Sequence, residues 1–120
     1  MSTLEIMQQA KRCCKTLAAA SGETKNQALL AMAQQLQEQK EAILQANQAD
    51  MQAAQGRISQ VMLDRLALTE KRIDDMAEGI RQVTRLPDPV GRSTRHIERP
   101  SGIVIDRLSV PLGVVAIIYE

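Results

Sequence analysis

The sequence predicts an α/β protein in which a helical layer leads into a β-hairpin and then a strand of buried type. Three observations carry that expectation. Apolar residues recur at helical spacing through the first two-thirds of the 120 residues. Pro87, Pro89 and Gly91 break the period, and two short β-prone stretches follow around Pro100-Ser101-Gly102. Last, Val114, Val115, Ala116, Ile117 and Ile118 form an unbroken apolar run rich in β-branched residues.

The first helix is predicted over residues 3–20, with Leu4, Met7, Cys14 and Leu17 on its apolar stripe and Lys11, Arg12 and Lys15 away from it. Ser21-Gly22 is read as its terminator, because Gly adopts the left-handed cap conformation cheaply. Thr24 then opens a second helix, with Gln27 three residues on as a capping box requires. Leu29, Met32, Ala33, Leu36 and Ile43 mark its buried face, and it runs to about residue 54, a length of about 45 Å. Gly56 stops it.

A short helix is expected over 59–66. Thr69 is the predicted N-cap of the next one, with Glu70 well placed for the helix dipole and Ile73, Met76, Ala77, Ile80 and Val83 as its stripe. Pro87 and Pro89 halt it, since each disfavours helix in the residue before it. Residues 95–99 and 103–110 read as the two strands of the hairpin. Gly113, next to Pro111, lets the chain bend from the hairpin into the strand at 114–118. A run without polar alternation belongs to a strand covered on both faces, and nothing earlier in the chain supplies a parallel partner. The fold is therefore expected to need more chain than these residues provide.

Composition narrows the function classes. Fifteen basic residues against fourteen acidic ones leave a net charge of +1, which argues against nucleic acid or an anionic membrane as partner. The densest basic stretch, with Arg81, Arg85, Arg92, Arg95, His96 and Arg99, is interrupted by Asp88 and Glu98 and holds no aromatic ring to stack on bases. One Tyr, no Phe and no Trp make a core of small aliphatic side chains, suited to a layer that packs on something larger. The first residues show no secretory signal pattern, and the longest apolar run is too short for a membrane helix. Cys13 and Cys14 are adjacent and have no other thiol to pair with, which favours a reduced, cytoplasmic compartment. They read as small hydrophobes rather than nucleophiles. His96, the single histidine, reads as an exposed strand residue, with no metal-ligand spacing around it. No Gly-rich dinucleotide fingerprint, P-loop or zinc pattern occurs.

From Leu68 onward, ordered blocks point to one family. Leu68-Thr69-Glu70-Lys71-Arg72-Ile73, Met76-Ala77-Glu78-Gly79-Ile80 and Leu86-Pro87-Asp88-Pro89-Val90-Gly91 come first. Arg107 and Val110-Pro111-Leu112-Gly113-Val114-Val115-Ala116-Ile117-Ile118-Tyr119-Glu120 follow. Together with Ala46-Asn47, Asp50 and Asp64-Arg65-Leu66, the sequence resembles the glutamate-5-semialdehyde dehydrogenase (gamma-glutamyl phosphate reductase) family of the aldehyde dehydrogenase superfamily.

The resemblance implies an aldehyde dehydrogenase-like fold with a Rossmann-like cofactor domain. It also implies this division: 1–91 as an N-terminal helical segment, 92–110 as an oligomerisation-type hairpin, and 111–120 as the first, truncated strand of the nucleotide-binding domain. It implies NADPH-dependent reduction of L-glutamyl 5-phosphate to L-glutamate 5-semialdehyde and phosphate in proline biosynthesis. A cysteine thiolate beyond residue 120 would displace phosphate, leaving a thioester for the hydride to reduce. NADP(H) is the implied cofactor, a homo-oligomer the implied state, and glutamate 5-kinase a candidate partner. Ligands of parallel sheets bind beyond the carboxyl ends of strands, so Ile118, Tyr119 and Glu120 are the candidate cofactor-side residues. No catalytic or metal-ligating residue is assigned within the chain, and alone it is expected to be inactive and marginally folded. The alternatives are a non-enzymatic helical adaptor whose β tail joins a partner's sheet, or another member of the superfamily.

Overall fold

A computed structural model describes residues 2–118. The elements are α1 (Thr3–Ala19), α2 (Gly22–Glu38), α3 (Lys40–Ala54), α4 (Gln60–Leu66), α5 (Glu70–Thr84), β1 (Ser93–Glu98) and β2 (Val104–Leu108). They fall into two compact units: Glu23–Leu86, and the residues through Gly22 together with those from Pro87 onward.

In the first unit, side chains that reach backbone groups left open at helix ends tie the helices together. The Asn47 amide of α3 donates to the Leu66 carbonyl (2.9 Å) and accepts from the Leu68 amide (2.7 Å), pinning the link between α4 and α5. Arg72 donates from Nη1 to the carbonyls of Asp64 (2.7 Å) and Ala67, supplying partners to the open end of α4. Asn26 of α2 donates to the Thr84 carbonyl at the end of α5 (3.1 Å). Lys40 pairs with Asp74 (2.7 Å) and holds that carboxyl below its usual range. Ala33, Ile73 and Ala77 form the fully buried core.

Thr69 caps α5 as expected, accepting from Arg72 N (3.1 Å), while Ser59, placed inside the helix expected over 59–66, is instead the N-cap of α4 and accepts from Met62 N (3.4 Å). Gly56 follows the end of α3 with φ +77°, a conformation that only glycine adopts without strain. A cap the sequence reading missed opens α1: Ser2 Oγ accepts from Glu5 N (3.3 Å) while Ser2 N donates to the Glu5 carboxylate (2.6 Å).

The single long helix expected up to residue 54 is instead two. Gln39 leaves helical geometry (φ −93°, ψ 8°), although Gln39 N still bonds to Gln35 O and Ile43 N to Gln39 O. No Gly or Pro lies at this kink, so tertiary contacts set it: Arg81 of α5 donates to Gln37 on one side, and Asp74 of α5 holds Lys40 on the other. The expected caps around Gly22 are also corrected. Helix α1 ends on Ala20 in extended geometry (φ −68°, ψ 141°), and Gly22 begins α2 rather than terminating α1. Thr24 therefore sits within the first turn, and Gln27 bonds Glu23 (3.4 Å) instead of closing a capping box.

In the second unit, β1 and β2 pair antiparallel, with His96 opposite Asp106, Ile97 opposite Ile105 and Glu98 opposite Val104. The ladder is irregular between Ser93 and Arg95, leaving Thr94 as the extra residue of a bulge. Thr94 Oγ1 donates to Arg107 O (3.0 Å), and Gly91–Ser109 and Ser109–Arg92 backbone bonds extend the pairing. The turn closes through Gly102 N to Arg99 O (2.8 Å), with Gly102 at φ +84°. Leu86-Pro87-Asp88-Pro89-Val90-Gly91 forms the entry turn: Asp88 Oδ1 accepts from Val90 N (2.9 Å) and Gly91 takes φ +76°.

The strand expected at 114–118 is not formed here. Those residues have no secondary structure, and their apolar side chains are exposed, because a strand exists only by pairing and no described strand lies beside them. The stripe on α1 meets the same fate: Leu4, Met7 and Leu17 are all exposed.

Candidate functional site

Three features of the second unit bear on function. The first is the segment 113–118, which leaves Gly113 (φ +95°) and ends at Ile118 with 95% of its surface exposed. Of the candidate cofactor-side residues, Ile118 is thus freely accessible, while Tyr119 and Glu120 lie outside the described residues.

The second is a groove of about 500 Å³ between α1 and this segment, lined by Met7, Gln8, Lys11, Cys14, Gly113, Val114 and Ala116. Its walls are mostly apolar, and Lys11 is the one charged residue among them. Cys14 Sγ lies 3.9 Å from where a Cβ on Gly113 would stand, so the thiol packs as an apolar body against the chain bend.

The third is a polar cluster on one face of the hairpin. His96 Nδ1 lies 2.8 Å from Asp106 Oδ1, and its Nε2 lies 3.3 Å from Glu98 Oε1. Ser93 Oγ also donates to Asp106 Oδ1 (3.1 Å). The hydrogen bonds to Asp106 and then Glu98 hold the imidazole pKa above its ordinary 6.5, and the bond from His96 holds Asp106 below its ordinary 3.8. The exposed strand position of His96 was legible in the sequence; its partner was not read, although pairing outward from the turn at 100–102 puts residue 106 opposite 96. No group of three or more His, Cys, Asp or Glu able to hold a metal ion occurs among the described residues. No described helix is long and apolar enough to cross a membrane.

Known proteins resolve what this geometry leaves open. The chain is 52% identical over 118 residues to the gamma-glutamyl phosphate reductase of Carboxydothermus hydrogenoformans, covering 98% of this chain and 28% of that protein. It is 52% identical over 114 residues to the Moorella thermoacetica protein of the same name (94% and 27%) and 49% identical over 120 residues to that of Streptococcus pneumoniae (100% and 29%). The chain belongs to the gamma-glutamyl phosphate reductase family. The fold agrees. The crystal structure of the Thermotoga maritima gamma-glutamyl phosphate reductase matches with a TM-score of 0.84 at 36% identity, over 90% of this chain and 26% of that one. The Saccharomyces cerevisiae enzyme matches with 0.83 at 27% identity, over 92% and 29%. No family model matches the chain. It spans between 27% and 29% of the length of these curated gamma-glutamyl phosphate reductases.

Proposed function

We propose that these residues are the N-terminal part of an enzyme that reduces L-glutamyl 5-phosphate with NADPH, giving L-glutamate 5-semialdehyde, phosphate and NADP⁺. The observation that carries this reading is the roughly one-half identity to curated gamma-glutamyl phosphate reductases across nearly the whole chain. On this reading 1–91 is the helical segment, 92–110 an oligomerisation hairpin, and 111–120 the first strand of a Rossmann-like cofactor domain. The exposed apolar run at 114–118 supports the last assignment, since such a run gains most from a sheet that covers it on both faces. The assembled protein is a cytoplasmic homo-oligomer on the same reading, with glutamate 5-kinase, which makes its substrate, as candidate partner.

The residues here fit only part of the cofactor. Ile118 is apolar and can lie against a flat ring, but it offers nothing to a phosphate. Its role is packing beside the nicotinamide nucleotide, which when bound supplies the hydride. Tyr119 and Glu120 continue the same segment.

The test is an assay of the full-length enzyme in the oxidative direction, with glutamate semialdehyde, phosphate and NADP⁺. Phosphate-dependent NADPH formation is the expected result; turnover of other aldehydes without need for phosphate would reject the reading. Ile118→Arg should raise the KM for NADP⁺ about ten-fold, as expected for roughly 1.4 kcal/mol of lost packing, and leave the KM for the semialdehyde unchanged. An unaltered KM for NADP⁺ would remove Ile118 from the cofactor side.

A further inference from the structure

The hairpin holds a device that the proposed reaction does not use. Both ring nitrogens of His96 face carboxylates, Asp106 at 2.8 Å across the ladder and Glu98 at 3.3 Å along the strand. A carboxylate only accepts hydrogen bonds, and a neutral imidazole has one N–H to give. Both contacts are satisfied together only when the ring is doubly protonated.

The other charged groups sharpen this dependence. No described element besides β2 packs against β1, so the groups that matter belong to the hairpin itself. On the His96 face these are Asp106 and Glu98, with the Ser93 hydroxyl on Asp106. On the opposite face Arg95 stands directly across from Arg107, whose Nε donates to Thr94 Oγ1 (3.0 Å). Like charges directly opposite each other weaken an antiparallel pair. With His96 protonated, one face offsets the repulsion on the other. Without that proton, Arg95 faces Arg107 on one side while Asp106 and Glu98 lose their shared cation on the other.

We propose that His96 is a proton-operated clasp, which tightens the β1–β2 hairpin when protonated and loosens it when the proton leaves. The sign follows from the direction of each shift. His96 titrates above its ordinary 6.5, so its contribution is complete below that value and is lost as pH rises through the raised one. Asp106 titrates below its ordinary 3.8, so its contribution is present above that value and is lost only in strong acid. The hairpin is tightest in the interval between, where both groups are charged.

The experiment is hydrogen–deuterium exchange of the full-length protein at about pH 5.5 and about pH 8, read as protection factors for peptides spanning 93–108. Protection of the hairpin should fall about two- to five-fold at the higher pH, the range of an exposed ion pair, while α5 stays unchanged. In His96→Gln the pH difference should vanish. In Asp106→Asn it should shrink and move to lower pH, because Glu98 alone remains to hold the proton. A pH difference that persists in His96→Gln, or none in the parent protein, would overturn the clasp.

Discussion

Asn47 shows how much one side chain can organise. Its amide uses both ends, donating to Leu66 O and accepting from Leu68 N, in a half-buried place where water does not easily replace either bond. Asn47→Ala should cost about 1–2 kcal/mol, because it leaves the Leu68 N–H without its acceptor. Asn47→Asp keeps the acceptor but turns an oxygen toward the Leu66 carbonyl where a donor stood. It should therefore destabilise at neutral pH and recover as acid restores a donor, below about pH 4. Faster exchange of the Leu68 amide in both variants, with a lowered Tm, is the check. Unchanged exchange in Asn47→Ala would mean that the link between α4 and α5 is held by packing alone. None of this was legible in the sequence, where Asn47 read only as one residue of a family block. Local pattern identifies an amide; it does not say which carbonyl, 19 residues on, the amide will meet.

At the scale of elements, the structure sorts expectations by how local their causes are. The cap at Thr69, the glycine after α3 and the Pro-Ser-Gly hairpin turn depend on neighbours a few residues away, and they stand where the local pattern placed them. The kink at Gln39 depends on α5, through pairs 34 and 44 residues apart in the chain (Lys40 with Asp74, Gln37 with Arg81), so helical periodicity passed through it unbroken. In the same way, periodicity located the apolar stripe of α1 and the run at 114–118 but said nothing of what covers them. Helix α5 offers two tests of opposite sign. Thr69→Ala removes the N-cap and should cost about 1 kcal/mol. Gly79→Ala should stabilise by about 0.5–1 kcal/mol, since a Cβ there meets nothing within 4 Å and Gly is a poor helix former. The two sites lie about 15 Å apart along the axis, far enough for additivity, so the double variant should melt close to the parent. A Gly79→Ala variant that melts lower would show that this face is covered in the assembled protein.

For the whole molecule, burial is the telling quantity. Only Ala33, Ile73 and Ala77 are fully buried among the described residues, so little hydrophobic burial stands against the entropy of ordering the backbone. Meanwhile Val110, Leu112, Val114, Val115, Ile117 and Ile118 lie open in one continuous segment. Burying such side chains is worth about 1.5–3 kcal/mol each, so together they offer on the order of 10 kcal/mol to whatever covers them. That driving force does not discriminate between a proper sheet and another copy of the same run. Residues 1–120 made alone should therefore self-associate at micromolar concentration and bind a hydrophobic dye such as ANS. Placing lysines at Val115 and Ile117 should suppress both signals while leaving most of the helical circular dichroism unchanged, because residues 23–86 form a separate unit. On the reading proposed above, the same two lysines in the full-length protein should do the reverse, abolishing folding or turnover, since a sheet would cover the run there. Should the isolated chain instead stay monomeric and melt cooperatively, the apolar segment must already be satisfied within it, and the strand assigned to 111–120 would lose its physical basis.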